Sequence, residues 1–248
     1  MIVKNGEAHL ARTLEVVSLY FSEIVILVDS STTDNTLDLI KKYANVKYST
    51  FRFQGFGNAK KLAEVQASND WVLSLDADEI LDQTALNSIG SIDLQQKETI
   101  YSFERKNFYN NKHINGAGWN NDTVVRLYNR THTTFEDKHI HEFIKKQANS
   151  TIRRLNGAIE HYPYKNISEL IIKMNYYSDL YISENLHKKS ASPLKAICKG
   201  AITFFRDYIL NKGWMFGYEG YVIAYTNSAG TFYKYLKLYE AQKQLKKQ

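Results

Sequence analysis

Asp76-Ala77-Asp78-Glu79 is the stretch of this chain best equipped for chemistry. Two carboxylates separated by one residue can approach the same cation or phosphate. The apolar run 71–75 just before them reads as a buried strand whose C-terminal end opens into charge. A structural alternative is that Asp78 and Glu79 cap the following helix, whose N-terminus favours acidic side chains. Asn5 and Asp29 occupy equivalent positions, at the ends of the short apolar runs 2–5 and 24–28. Each polar residue alone is a turn former; three at successive strand ends describe a crevice of nucleotide size.

The elements that must position these groups alternate. A strand at 2–5 precedes a helix over 7–21, with Leu10, Leu14 and Val17 at helical spacing. The β-branched strand 24–28 leads into the polar turn 30–35 and a helix over 36–43. A strand at 46–51, a turn at Gly55-Phe56-Gly57, a helix over 58–67 and the strand 71–75 follow. Strands and helices of these lengths imply βαβ units and a parallel sheet with helices on both faces, where ligands bind beyond the carboxyl ends of the strands. No Gly-x-Gly-x-x-Gly follows a strand and no Gly-Lys-Ser/Thr occurs, which disfavours a dinucleotide or P-loop fold.

The bulk numbers bound the class. A chain of 248 residues, 44% hydrophobic and 23% charged, has the composition of a globular protein of one large domain or a domain with an appendage. One cysteine, Cys198, excludes an intramolecular disulfide and fits a reducing compartment. Neither a secretory leader nor an uncharged apolar run of spanning length is present, so a cytoplasmic location is expected. The net charge of +6 is uneven: residues 151–248 hold 15 Lys/Arg against seven Asp/Glu, so residues 1–150 carry −2. Residues 151–248 also hold 12 of the 18 tyrosines, a basic aromatic composition that suits an anionic partner.

Three ordered segments carry a resemblance to a known family. Val28-Asp29-Ser30-Ser31-Thr32-Thr33-Asp34-Asn35-Thr36, Gly55-Phe56-Gly57-Asn58-Ala59-Lys60 and Leu75-Asp76-Ala77-Asp78-Glu79 resemble a family 2 glycosyltransferase. Gly116, Gly118 and Trp119, then Asp122, Arg126 and Leu127, then His141-Glu142 and His161-Tyr162, extend the likeness along most of the chain. Within the family it is most similar to bacterial β-glucosyltransferases that add glucose to a heptose of the lipopolysaccharide inner core. The resemblance implies a GT-A fold, an α/β architecture with a Rossmann-like mixed sheet, spanning 1–163 with a helical extension over 164–248. It also implies a UDP-sugar donor, a divalent cation (Mg²⁺ or Mn²⁺) and a lipopolysaccharide core acceptor. By position, Asn5, Glu7, Asp29 and Lys60 would line the uridine pocket, Asp76 would meet the sugar or ribose, and Asp78 the metal.

Acceptor-side residues follow. Trp119, in a polar glycine-bearing loop, offers a face for the apolar side of a pyranose. Asp122, at the mouth of a strand over 123–128, and Glu142 are both candidates for the base that takes a proton from the acceptor hydroxyl; a salt bridge to Arg126 is the structural reading of Asp122. His141 is a second candidate metal ligand, since imidazole binds Mn²⁺. His161, ending the alternating stretch 152–162, is placed with Trp119 on the acceptor side, within reach of the diphosphate. Three helices are expected beyond 164, near 167–181, 193–210 and 219–245, with Lys188, Lys189, Lys195, Lys199 and Lys212 available to anionic lipid or acceptor phosphates. Peripheral contact with the inner face of the inner membrane is expected, and a nucleic-acid partner is not. Another UDP-hexose or acceptor, a basic nucleic-acid-binding module and a non-catalytic sugar-binding scaffold are the competing readings.

Overall fold

The computed structural model describes residues 1–136 and 143–245, which divide into two compact units. The first comprises residues 1–106 and 122–162, the second residues 107–121 and the chain from 163 onward. A linear division at 163 therefore meets the last crossing point, while the excursion 107–121 groups with the C-terminal helices.

In the first unit the strands β1 (Ile2–Val3), β2 (Ile24–Asp29) and β3 (Val46–Phe51) pair in parallel in that order. Helices α1 (Glu7–Tyr20) and α2 (Thr36–Ile40) connect them. Helix α1 forms because Leu10, Thr13, Leu14 and Val17 recur on one face, and all four are buried. Burying each of the two leucines stabilises the fold by roughly 2 kcal/mol. The first strand is shorter than its apolar pattern suggests, because Asn5 takes φ +48 and turns the chain out of the ladder. Asparagine tolerates that left-handed conformation better than most residues.

A second sheet follows α3 (Phe56–Gln66). Its strands are β4 (Trp71–Leu73), β5 (Glu79–Leu81), β6 (Thr99–Tyr109), β7 (Lys112–His113), β8 (Thr123–Asn129) and β9 (Thr151–His161), and α4 (Gln83–Gly90) lies between β5 and β6. The order is β4-β8-β6-β9-β5, with β7 paired to β6. The pairs β4–β8 and β5–β9 are antiparallel, so the parallel sheet expected from the first 75 residues stops at three strands and the architecture is mixed. Beyond Leu73 the backbone of Ser74 is still tied to β8, its N–H donating to Arg126 O at 2.7 Å. Residues Asp76, Ala77 and Asp78 then leave the ladder as a loop before β5 begins at Glu79. The unit's core joins Leu10, Leu14, Ile26, Leu75, Phe103 and Leu127.

The second unit holds the end of β6, β7 and three helices, α5 (Ile167–Asn185), α6 (Pro193–Phe205) and α7 (Gly217–Leu245). Asn166 caps α5 by accepting from Glu169 N–H, and Ser192 caps α6, which begins at Pro193. The helix expected to run to 210 changes pitch at Arg206–Leu210, a π-helical turn, and a 3-10 turn at Gly213–Phe216 leads into α7. Tyr109, Ile114, Ala117, Leu170, Val222 and Ile223 form this unit's core.

Candidate active site

The loops after β1 and β2 are bound together by polar side chains. Asn5 Oδ1 accepts from Thr33 N–H at 2.8 Å, and Glu7 Oε1 from Asn35 Nδ2 at 3.0 Å. In return, Glu7 N–H donates to Asp34 Oδ2 and Gly6 N–H to Thr36 Oγ1. Asp29 is buried and folds its own loop, accepting from Ser31 Oγ and, at 2.7 Å, from Ser31 N–H. Those Ser31 hydrogen bonds, hydroxyl first, hold its carboxyl below the usual range against burial, with Lys4 adding to the effect. Asn5, Glu7 and Asp29 therefore share one framework.

Asp76 belongs to a separate network. Lys60, buried on α3, reaches its Oδ1 at 3.0 Å, and Arg126 Nη2 on β8 reaches its Oδ2 at 2.7 Å. Burial pushes the Asp76 carboxyl up, but the Lys60 and Arg126 charges outweigh it and hold the group far below the ordinary carboxylate range. Arg126 Nη2 also donates to Glu79 Oε1, which Arg105 Nη1 meets at 3.4 Å. Arg105 Nε donates to Asp122 Oδ2 at 2.7 Å, and its N–H to Asp122 O at 2.8 Å. A chain of alternating charge thus runs Lys60–Asp76–Arg126–Glu79–Arg105–Asp122. Lys60 also stands 5.3 Å from the centre of the Phe135 ring.

One structural alternative fails here. The helix cap is Asp82, which accepts from Ala85 N–H at 2.8 Å, whereas Glu79 is a fully buried residue of β5. Asp122 pairs with Arg105 across the β6–β8 pair, and Arg126 with Asp76 and Glu79. Sequence reasoning does not reach Arg105, because which strands pair is invisible in a single sequence.

Asp78 faces His161. Its Oδ2 lies 3.5 Å from His161 Nε2, and Tyr162 N–H donates to its carbonyl at 3.0 Å. The pairing of Glu79 with His161 in the β5–β9 ladder sets that approach. Thr13 Oγ1 on α1 lies 3.0 Å from Ala77 O and 3.1 Å from Glu79 O, so a buried hydroxyl anchors the loop from below. A cavity of about 400 Å³, lined in part by Val17, Trp71, Leu73 and Leu127, reaches Lys60 but not Asp78.

Trp119 belongs to the second unit, where its ring stacks on Tyr164 with centroids 6.0 Å apart and planes at 28°. The turn before it has positive φ at Ala117 (+52) and Gly118 (+88). It is held by Ala117 N–H donating to Asn211 O at 2.9 Å and by Asn227 Nδ2 donating to Ala117 O at 3.2 Å. Asn227 and Asn211 also donate to the buried Asp207, whose carboxylate lies 3.2 Å from where a Cβ on Gly118 would stand. His141 and Glu142 lie outside the described residues.

Among the described residues no group of three or more His, Cys, Asp or Glu is gathered to hold a metal. The donor set at Asp78 nonetheless fits a cation shared with a substrate, since Mg²⁺ is commonly bound by one or two carboxylates together with substrate phosphates.

The sequence profile described as Glycosyl transferase family 2 matches residues 1–148. An uncharacterized glycosyltransferase of Rickettsia typhi is 27% identical over 251 residues, covering 97% of this chain and 85% of that protein. The lipopolysaccharide core biosynthesis glycosyltransferase LpsC of Rhizobium meliloti is 27% identical over 252 residues, covering 97% of this chain and 90% of its own. Among solved structures, residues 1–349 of TarS from S. aureus align over 98% of this chain and 90% of that one, at 13% identity and a TM-score of 0.45.

Proposed function

The chain belongs to glycosyl transferase family 2 and is a glycosyltransferase, and from that premise we propose that it moves glucose from UDP-glucose to a heptose of a lipopolysaccharide core, with inversion to a β-glycoside. The observation that carries the site assignment is the different pairing of the two aspartates. Asp76 is paired with Lys60 and Arg126, while Asp78 faces His161. The similarity to LpsC over nearly the whole chain supports the acceptor class.

In this reading the Asn5–Glu7–Asp29 framework receives the uridine, and the Lys60–Asp76 pair orients the donor's ribose or hexose. Transferases of this family are commonly dependent on a divalent metal. Asp78, with His161 or His141, would hold Mg²⁺ or Mn²⁺ against the diphosphate, where the ion supplies Lewis-acid stabilisation of the leaving UDP. The acceptor hydroxyl gives its proton to a carboxylate, Asp122 or Glu142, as its oxygen bonds to the anomeric carbon. The bond from that carbon to the diphosphate oxygen breaks on the opposite face, so one displacement inverts the centre without a covalent enzyme intermediate. His161 faces the acceptor, at the inner face of the inner membrane, and Trp119 of the second unit offers a ring for stacking on a pyranose.

UDP release from a panel of UDP-sugars, with a heptose-terminated core acceptor and with or without Mg²⁺ or Mn²⁺, tests the proposal. UDP-glucose should be preferred, and Asp78→Ala should lower turnover by at least ~10²-fold. Asp122→Asn and Glu142→Gln compared side by side identify the base by the larger loss of kcat. Wild-type turnover in Asp78→Ala would refute the metal assignment, and preference for another donor would refute the sugar.

A further inference from the structure

Helix α6 presents its bulk to solvent. Its buried positions are the small residues Ala196, Gly200 and Thr203. They seat the helix on α7, where Ser228 Oγ donates to Gly200 O at 2.8 Å and a Cβ on Gly200 would stand 3.3 Å from Phe232 Cβ. The large apolar residues Leu194, Ile197, Ile202 and Phe205 are each between 56% and 70% exposed. At 100° per residue they cluster around the side opposite Ala196 and Thr203. A helix of a water-surrounded protein ordinarily buries its widest apolar stripe; this one buries its small residues and leaves the stripe uncovered. The exposure continues along the chain through Leu210, Trp214 and Met215. Contiguous apolar patches of this kind mark interaction surfaces.

Cations border the stripe. Lys195 and Lys199 lie on one flank of α6. Lys195 Nζ is 5.6 Å from the centre of the Tyr235 ring, and Lys189 and Lys234 approach the Tyr181 ring at 5.0 and 4.9 Å. The Tyr235 hydroxyl is pulled below its ordinary range, first by the hydrogen bond with Tyr181 and then by Lys189, Lys195 and Lys199 against burial, which registers how much positive charge gathers there.

We propose that this face lies on an anionic phospholipid bilayer, with α6 in the membrane plane, its apolar stripe among the acyl chains and the lysines on the lipid phosphates. An apolar stripe flanked by lysines, with tryptophan and tyrosine nearby, has the chemistry of interfacial helices. At 13 residues α6 is too short to cross a bilayer, and no helix among the described residues is long and apolar enough to do so. A second copy docked through the same face about a two-fold axis would crowd like-charged lysine clusters at one interface. The inference uses only the second unit's surface and holds for any donor and acceptor.

Flotation with phosphatidylglycerol/phosphatidylethanolamine vesicles, without sugar nucleotide, is the test. The wild type should float with these vesicles, release as salt rises, and bind phosphatidylcholine vesicles weakly. Ile197→Ser/Ile202→Ser/Phe205→Ser should bind at least ~10-fold more weakly, since three apolar insertions are lost. Lys195→Gln/Lys199→Gln should lose several-fold of the preference for anionic lipid. Leu19→Ser/Val65→Ser, more exposed and in the first unit, should bind as wild type. Independently of any variant, brominated lipid should quench the exposed Trp214 of the wild type. Absence of flotation and quenching, wild-type binding by the triple variant, or a solution dimer that the triple variant turns into a monomer would overturn the proposal.

Discussion

Glu79 tests whether the charge chain is structural. Its carboxylate is fully buried between Arg126 and Arg105, so Glu79→Gln removes a charge that both arginines share. Breaking a buried pair on one side costs about 3 kcal/mol, and a urea denaturation midpoint should fall accordingly. Asp76 gives the pH counterpart. A carboxylate whose folded value is depressed stabilises the fold fully above its unfolded value, about 3.9, and loses that stabilisation as pH falls towards the folded value. The difference in midpoint between wild type and Asp76→Asn should therefore be constant from pH 7 to pH 5 and narrow below pH 4. Asp76 and Asp78 stand out in the sequence because motif spacing points at them directly, and Arg126 belongs to the same ordered set of segments. That Arg105 and Arg126 share Glu79 follows from strand pairing, of which spacing along the chain carries no trace.

At the scale of elements, Gly157 is the position where geometry leaves least freedom. On β9 it has φ +90, and a Cβ there would come within 2.1 Å of Ala85 N at the start of α4. The same junction is held by Asp82, which caps α4 and also accepts from Ala158 N–H at 3.0 Å. Gly157→Ala should cost at least about 2 kcal/mol, from left-handed strain and overlap with backbone that cannot yield. That corresponds to a fall in Tm of roughly 5 °C by calorimetry. Helices such as α1 and α5 are readable from apolar spacing. The pitch change at Arg206–Leu210 is not, since Asp207, Asn211 and Asn227 cooperate only after folding. Strand β4 likewise ends earlier than its apolar run, because Leu75 is buried in the core without joining the ladder.

At the scale of the whole molecule, the discontinuity of the units matters most. The excursion 107–121 buries Tyr109, Ile114 and Ala117 against Leu170, Val222 and Ile223 of the C-terminal helices. A chain truncated after Tyr162 would keep the excursion and lose its cover. Size-exclusion chromatography should find that fragment aggregated, and replacing 107–121 by a Gly/Ser linker should return it to a monomer. The alternating first half and the helical last third were both apparent from hydrophobic period, but a 15-residue detour between them leaves no compositional mark. The same detour imposes an order of events during synthesis. The hairpin leaves the ribosome well before the helices it packs on, and at ~5–20 residues per second the interval is on the order of ten seconds. Throughout it Tyr109 and Ile114 wait uncovered, so nascent-chain chaperones have their most exposed customer in mid-sequence, and faster elongation of the last third should raise the yield of native enzyme.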